Sequence, residues 1–261
     1  MNILEEIIQS KYGEVAKRKA ITSIAELEKS PLFERETISL KQSLLDSQHY
    51  GIIAEFKRKS PSKGQFIGQL SVEEVTQGYV KAGAAGLSVL TDEHYFGGTL
   101  ADLQAARNVN QVPLLRKDFM VDEYQILEAK ANGADVILLI AAGIDSPLLN
   151  RLAKFAKSLG LETLLEVREK EELEGNLSEY IDVVGVNNRN LKDFKVDIQI
   201  SIETSEYIPS QFVKISESGI STADVIHKLS TYGYKGFLMG EAFMQTSDPL
   251  ASCNQFINSL K

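Results

Sequence analysis

The chain has 261 residues, 43% hydrophobic and 25% charged, an ordinary globular balance with length enough for a large core. Its net charge of −8 argues against general affinity for nucleic acid, so a cationic site has to be a local cluster acting on a small anion. The single cysteine, Cys253, can form neither an internal disulfide nor a Cys-based zinc site, the scattered His49, His94 and His227 offer no ligand spacing, and no window reaches the ~18 apolar residues of a membrane span.

The chain starts Met1-Asn2-Ile3-Leu4-Glu5-Glu6, without the basic region and apolar stretch of a secretion signal, which predicts a cytoplasmic protein. Over the first ~45 residues, Leu4, Ile7, Ile8 and Val15 share a helical face, and Ser23-Ile24-Ala25-Glu26 has the form of a capping box. Residues 1–45 therefore read as an N-terminal extension of two helices. Such an extension could plug the bottom of the following fold or cover its mouth, and spacing does not choose between them.

From residue 51 onward, apolar runs of strand length recur: GIIAEF (51–56), GLSVL (86–90), PLLRK (113–117), DVILLI (135–140), ETLLEV (162–167), DVVGV (182–186), FVKIS (212–216) and GFLMG (236–240). Most are continuous rather than alternating, as in parallel strands buried on both faces. Helical patterns lie between them, such as SVEEVTQGYVKAG (71–83), DEYQILEAKANG (122–133) and TADVIHKLSTYG (222–233), each closed by a glycine suited to a left-handed cap. KAGAAGLSVL and KANGADVILL repeat the same helix end, glycine turn and strand start. Eight βα units without any G-x-G-x-x-G predict an α/β protein, a (β/α)8 TIM barrel forming one domain over 1–261.

In this fold the chemistry sits where strands end. Here those ends carry Glu55 and Lys57, then Thr91-Asp92 and HYFGG, RKDF (116–119), Glu166, NNRN (187–190), SESG (216–219) and Gly240-Glu241. Each has a plain reading: Lys57 with Glu55, or Lys117 with Asp118, as structural ion pairs, Asn187-Asn188 as turn formers, Ser218-Gly219 as a helix cap. Collectively they point to function, because each unpaired buried ion costs several kcal/mol. SESGIST and LMGEAF suit a phosphate site built from backbone N–H groups, and Tyr95-Phe96 could stack on a planar ring.

The stretches IIAEFKRKSPSKG, LSVLTDEHYFGG, LLRKDFMVDEYQI, GADVILLI, LLEV, VGVNNRNL, SESGI and FLMGEAFM, taken in order, resemble the indole-3-glycerol phosphate synthase family over nearly the whole chain. The resemblance implies a lyase of tryptophan biosynthesis that closes, decarboxylates and dehydrates 1-(2-carboxyphenylamino)-1-deoxyribulose 5-phosphate, with no metal or organic cofactor. It implies Lys117 as general acid in ring closure, and Glu166 and Lys57 sharing the dehydration. Glu55 is expected to orient and keep charged both lysines. Asn187, Arg189, Glu217 and Ser218 would hold the sugar hydroxyls, and Phe96 the anthranilate ring. Phosphate would meet Ser60, Ser218, Gly219, Gly240 and the Glu241 N–H. Two positions depart from the pattern: Glu241 stands where many relatives have serine, so its side chain is expected to turn away from phosphate, and Arg168 stands where relatives often have histidine. The expected partner is a small sugar phosphate, with neither nucleic acid nor membrane, and a monomer or weak homodimer is expected. The related phosphoribosylanthranilate isomerase is disfavoured because Cys253 lies in the last helical segment. A Schiff-base aldolase or a catalytically silent sugar-phosphate binder are the other readings.

Overall fold

All eight predicted strands form, and they close on one another. A computed structural model describes residues 2–46, 48, 50–61, 64–66, 70–190 and 194–261; His49, Ser62-Lys63 of the first motif and Leu191 of VGVNNRNL lie outside the described residues. The strands are β1 (Ile52–Phe56), β2 (Gly86–Leu90), β3 (Leu114–Lys117), β4 (Val136–Ile140), β5 (Glu162–Val167), β6 (Val183–Asn187), β7 (Val213–Glu217) and β8 (Tyr234–Met239). Each pairs in parallel with its sequence neighbours, and β1 pairs with β8, so the sheet is a closed (β/α)8 barrel without edges. β1, β2 and β4 are buried along their whole length, the physical origin of their continuous apolar runs.

Three strands run past their expected bounds. β6 and β7 run one residue further, so Asn187 and Glu217 occupy the last rung of the barrel rather than the loops. β8 starts two residues earlier, and its register with β7 shifts between Tyr234 and Gly236.

The extension makes three helices rather than two: α1 (Ile3–Ile21), the single turn α2 (Ile24–Leu27) and α3 (Leu40–Leu45). Asn2 and Glu5 close a capping box on α1, and Ser23 and Glu26 close the predicted one on α2. Lid and plug both hold, for different halves of the segment. Ile3, Leu4 and Ile7 of α1 line the cavity at the C-terminal mouth of the barrel. At the opposite end, Leu40 of α3 lies 2.9 Å from where a side chain on Gly86 would begin, and Ser43 Oγ donates to the Ala85 carbonyl at 2.5 Å. Between these ends the segment is tied to the barrel by Tyr124 Oη donating to the Thr22 carbonyl (2.8 Å) and by an Arg35–Asp135 ion pair (2.6 Å).

The strongest tie is ionic. Lys11, fully buried on α1, places Nζ 2.6 Å from Asp92, 3.0 Å from Asp118 and 2.8 Å from Glu14. Burial alone would lower its pKa, yet the Asp118 and Asp92 carboxylates outweigh burial and push it up to about 12. Asp118, also buried, is held well below the ordinary carboxylate range by Arg116 and Lys11. Among the described residues, no helix is long and apolar enough to cross a membrane.

Removing the cation from such a cluster leaves buried carboxylates without their counter-charge. Lys11→Met should lower unfolding free energy by about 3 kcal/mol or more in urea titrations. A loss below ~1 kcal/mol would show that α1 docks by apolar contact alone.

Candidate active site

Closing a barrel aims residues from alternate strands into the same interior layer. Here β1, β3, β5 and β7 deliver Glu55, Lys117, Glu166 and Glu217 to one cavity. A layer normally filled by branched apolar side chains is therefore charged. The lysine bridges it: Lys117 Nζ lies 2.7 Å from Glu217 Oε2 and 3.2 Å from Glu166 Oε2. Glu166 Oε1 accepts from Asn187 Nδ2 at 2.9 Å, and Asn187 Oδ1 in turn accepts from Ser218 Oγ and the Arg189 N–H, both at 3.0 Å.

The lysine partners differ from those expected. Of the two lysines, Glu55 contacts Lys57 (3.1 Å), and it accepts from Ser88 Oγ (3.2 Å); it acts on Lys117 through space, while Glu166 and Glu217 make the contacts. Nor does Lys117 pair with Asp118, whose carboxylate is taken by Lys11, Arg116 and Thr91. Asp118 lies just past the end of β3 and turns to Arg116 and Lys11, so adjacent Lys117 and Asp118 serve different clusters.

Burial would lower the Lys117 pKa, but Glu217, Glu166 and Glu55 outweigh it and hold the ammonium charged far above neutrality. Glu55 is also buried, which would raise it; Lys57 and Lys117 prevail and keep it below its ordinary value. Glu217 goes the other way. Burial lifts it to about 7 against the pull of Lys117, with Glu166 and Glu55 adding repulsion. Its Oε1 is buried with no hydrogen-bond partner among the described residues, which favours the protonated form.

Around this ionic layer the walls divide by chemistry. Phe96, on the short helix Glu93–Phe96, lies with its ring 6.1 Å from that of Phe119. With Leu138, Ile140 and the apolar residues of α1 they make a greasy side. Opposite stand Ser60, Ser218, Arg189, Gly240 and Glu241. Ser218 adopts a left-handed φ of 66°, a strained conformation for a side-chain-bearing residue, and its carbonyl accepts from buried Asn188 Nδ2 at 3.0 Å. Gly240 allows Glu55 to approach: a Cβ there would sit 2.8 Å from that carboxylate.

Of the residues expected at the site, Gly219 alone does not line the cavity; a Cβ on it would run into Val196, 2.2 Å away. Glu241 reaches Arg189, its Oε2 2.9 Å from Nη2. Arg168 faces a second cavity on the far side of Glu166, and its Nη1 is buried without a partner among the described residues. Ile3, Leu4, Ile7 and Phe119 line the site although sequence reading gave them no role there. The α1 stripe and the RKDF motif were the available signals.

Comparison with known proteins agrees with this geometry. The family model described as indole-3-glycerol phosphate synthase matches residues 4–256. Proteins named indole-3-glycerol phosphate synthase are similar along their length: one from Bacteroides thetaiotaomicron is 44% identical, covering 100% of this chain and 99% of its own. Another from Carboxydothermus hydrogenoformans is 41% identical, covering 94% and 96%. Among solved structures, 3-hexulose-6-phosphate synthase from Salmonella typhimurium superposes with a TM-score of 0.63 at 12% identity, covering 80% of this chain and 98% of that one, a likeness of fold alone. With a closed barrel, an ionic layer at its mouth and close relatives that span it end to end, this chain belongs to the indole-3-glycerol phosphate synthase family.

Proposed function

We propose that the ionic layer carries out all three steps by which this family makes indole-3-glycerol phosphate, with Lys117 as the proton donor of the first. The observation that carries this reading is the Lys117 ammonium held between Glu166 and Glu217, in a cavity with an aromatic side and a polar side. The carboxyphenylamino end of the substrate fits against Phe96, and its phosphate against Ser60, Ser218, Gly240 and the backbone N–H of Glu241. Gly219, packed under Val196, would serve by turning its own N–H toward the phosphate.

In ring closure the carboxyl-bearing aryl carbon attacks the ketone, a C–C bond forms, and the ketone oxygen takes a proton from Lys117 to become a hydroxyl. A lysine surrounded by carboxylates is always protonated at neutral pH. Its weak acidity is no obstacle, because proton affinity at the oxygen climbs as the carbonyl gains alkoxide character. Lys57, beside Glu55, pairs with the substrate carboxylate until that leaves as carbon dioxide. The electrons of the broken C–C bond then neutralise the ring iminium, so the substrate supplies its own electron sink. For dehydration, a carbon-bound proton passes to a base and the hydroxyl departs with an acid's proton as water, work shared by Glu166 and Lys57. Asn187 fixes Glu166 for this step, while Arg189, Glu217 and Ser218 hold the sugar. The reading is completed by a cytoplasmic enzyme, a single barrel domain acting as a monomer or weak homodimer on a small sugar phosphate and not on nucleic acid.

Fluorescence of the indole product, followed with purified, chelated and dialysed protein, should show turnover; activity restored only by added metal would contradict the reading. Lys117→Arg keeps the charge but replaces a compact donor, seated between Glu166 and Glu217, with a broad planar fork that cannot take the same position, so kcat should fall by about 10² or more. Lys57→Arg should retain more activity. Parent-like kcat in a folded Lys117→Arg variant would reduce Lys117 to a counter-charge.

Glu217 gives a pH signature of opposite sign to ordinary carboxylates. Because the folded protein holds its proton up to about 7, ionisation of this group weakens the fold as pH rises from the ordinary carboxyl range through about 7. Glu217→Gln mimics the protonated form and lacks this slope. Its Tm relative to the parent should therefore be more favourable at about pH 8 than at about pH 5, by calorimetry. An unchanged or reversed difference would show that Lys117 keeps Glu217 ionised throughout.

A further inference from the structure

Cations and carboxylates in the mouth are matched in two ways. Lys57 and Lys117 are paired deep inside, with side-chain exposures of 12% and 14% against partners at 7% or less. The Arg189–Glu241 pair sits at the rim and is wetter, at 19% and 29%. Water screening makes this the weaker, more exchangeable contact. Among the described residues, Arg189 uses Nη2 on Glu241 at 2.9 Å, and Nη1 makes a long 3.4 Å contact with the Phe194 carbonyl. Its fork thus retains donor capacity of the kind that a phosphate, with more charge and more oxygens than a carboxylate, can engage at two points. Glu241 directly follows Gly240, and both line the polar side of the cavity with Ser60 and Ser218.

We propose that Glu241 is an affinity-setting residue, an internal anion that occupies Arg189 and that the substrate phosphate has to displace. This rests on the phosphate-bearing substrate assigned above. None of the three chemical steps touches the phosphate, so the product leaves carrying the same anion with which the substrate arrived. Every contact to phosphate that speeds capture also slows release. A carboxylate that re-forms its pair with Arg189 as the phosphate departs lowers affinity for both and shortens the stay of product. Glu241 acts through Arg189 and through charge, and touches no reacting atom.

The test uses full-length enzyme and inorganic phosphate as the probe. Glu241→Gln keeps shape and a hydrogen-bond acceptor while removing the charge. Its Kd for phosphate should fall about three- to tenfold, the scale of a part-exposed ion pair, and KM for the substrate should fall in step. The gain should shrink at high salt. A supporting role for the pair would give the opposite split, with KM raised. Glu241→Ser, which removes the side chain, should tighten phosphate as well. Unchanged or weaker phosphate binding in the two folded variants overturns the proposal, and so does failure of both to fold, because the pair would then be a structural prop. Turnover by the parent alongside unchanged phosphate affinity in the variants sinks this inference alone, whereas no turnover by the parent sinks the functional reading beneath it.

Discussion

An ammonium group stands where a barrel of this kind would ordinarily place a branched apolar side chain, and the mouth is organised around it. Lys117 can be buried only because β5 and β7 bring Glu166 and Glu217 to within 3.2 Å and 2.7 Å of it. Three carboxylates around one lysine would over-compensate, and the excess falls on Glu217, whose proton is held to about 7. Lys117 and Glu217 therefore bear on each other's protonation, with Glu55 acting on both from across the barrel. Disturbing one strand end is felt on the opposite side of the barrel.

The strands were legible in the sequence because burial on both faces leaves continuous apolar runs, and their ends because charge breaks those runs abruptly. That Glu55, Lys57, Lys117, Glu166 and Glu217 share one cavity follows from the fold class once strands are assigned. Their pairings did not follow. Lys117 precedes Asp118 in sequence yet pairs with residues 49 and 100 positions away, since the strand ends at Lys117 and Asp118 turns to Arg116 and Lys11 instead. The position of α1 was equally hidden: an apolar stripe shows that a face is covered without saying by what. Lys11 gave no signal, being a lysine on an otherwise ordinary amphipathic helix.

That lysine joins the scaffold to the chemistry. Asp118 follows Lys117 on the same chain, and Asp92 caps the helix bearing Phe96 by accepting from the Tyr95 N–H at 2.7 Å. Through these two carboxylates, one buried cation on the extension fixes both the strand end that carries Lys117 and one aromatic wall. Deep ion clusters give little net stability but are exacting about geometry, which is what a site assembled from several strands needs.

The extension also carries a temporal consequence. It is made before the strands that hold it, and its anchors come much later: Lys11 and Asp92 are 81 positions apart, and Ser39 and Glu162 are 123 apart. At roughly 5–20 residues per second of synthesis, α1 waits several seconds with its apolar face uncovered before β2 to β5 exist to receive it. The nascent chain thus spends that interval with the apolar stripe of α1 uncovered, the kind of surface that holding chaperones bind. Docking of α1 belongs among the late events of folding, since its contacts close long loops that have to form first.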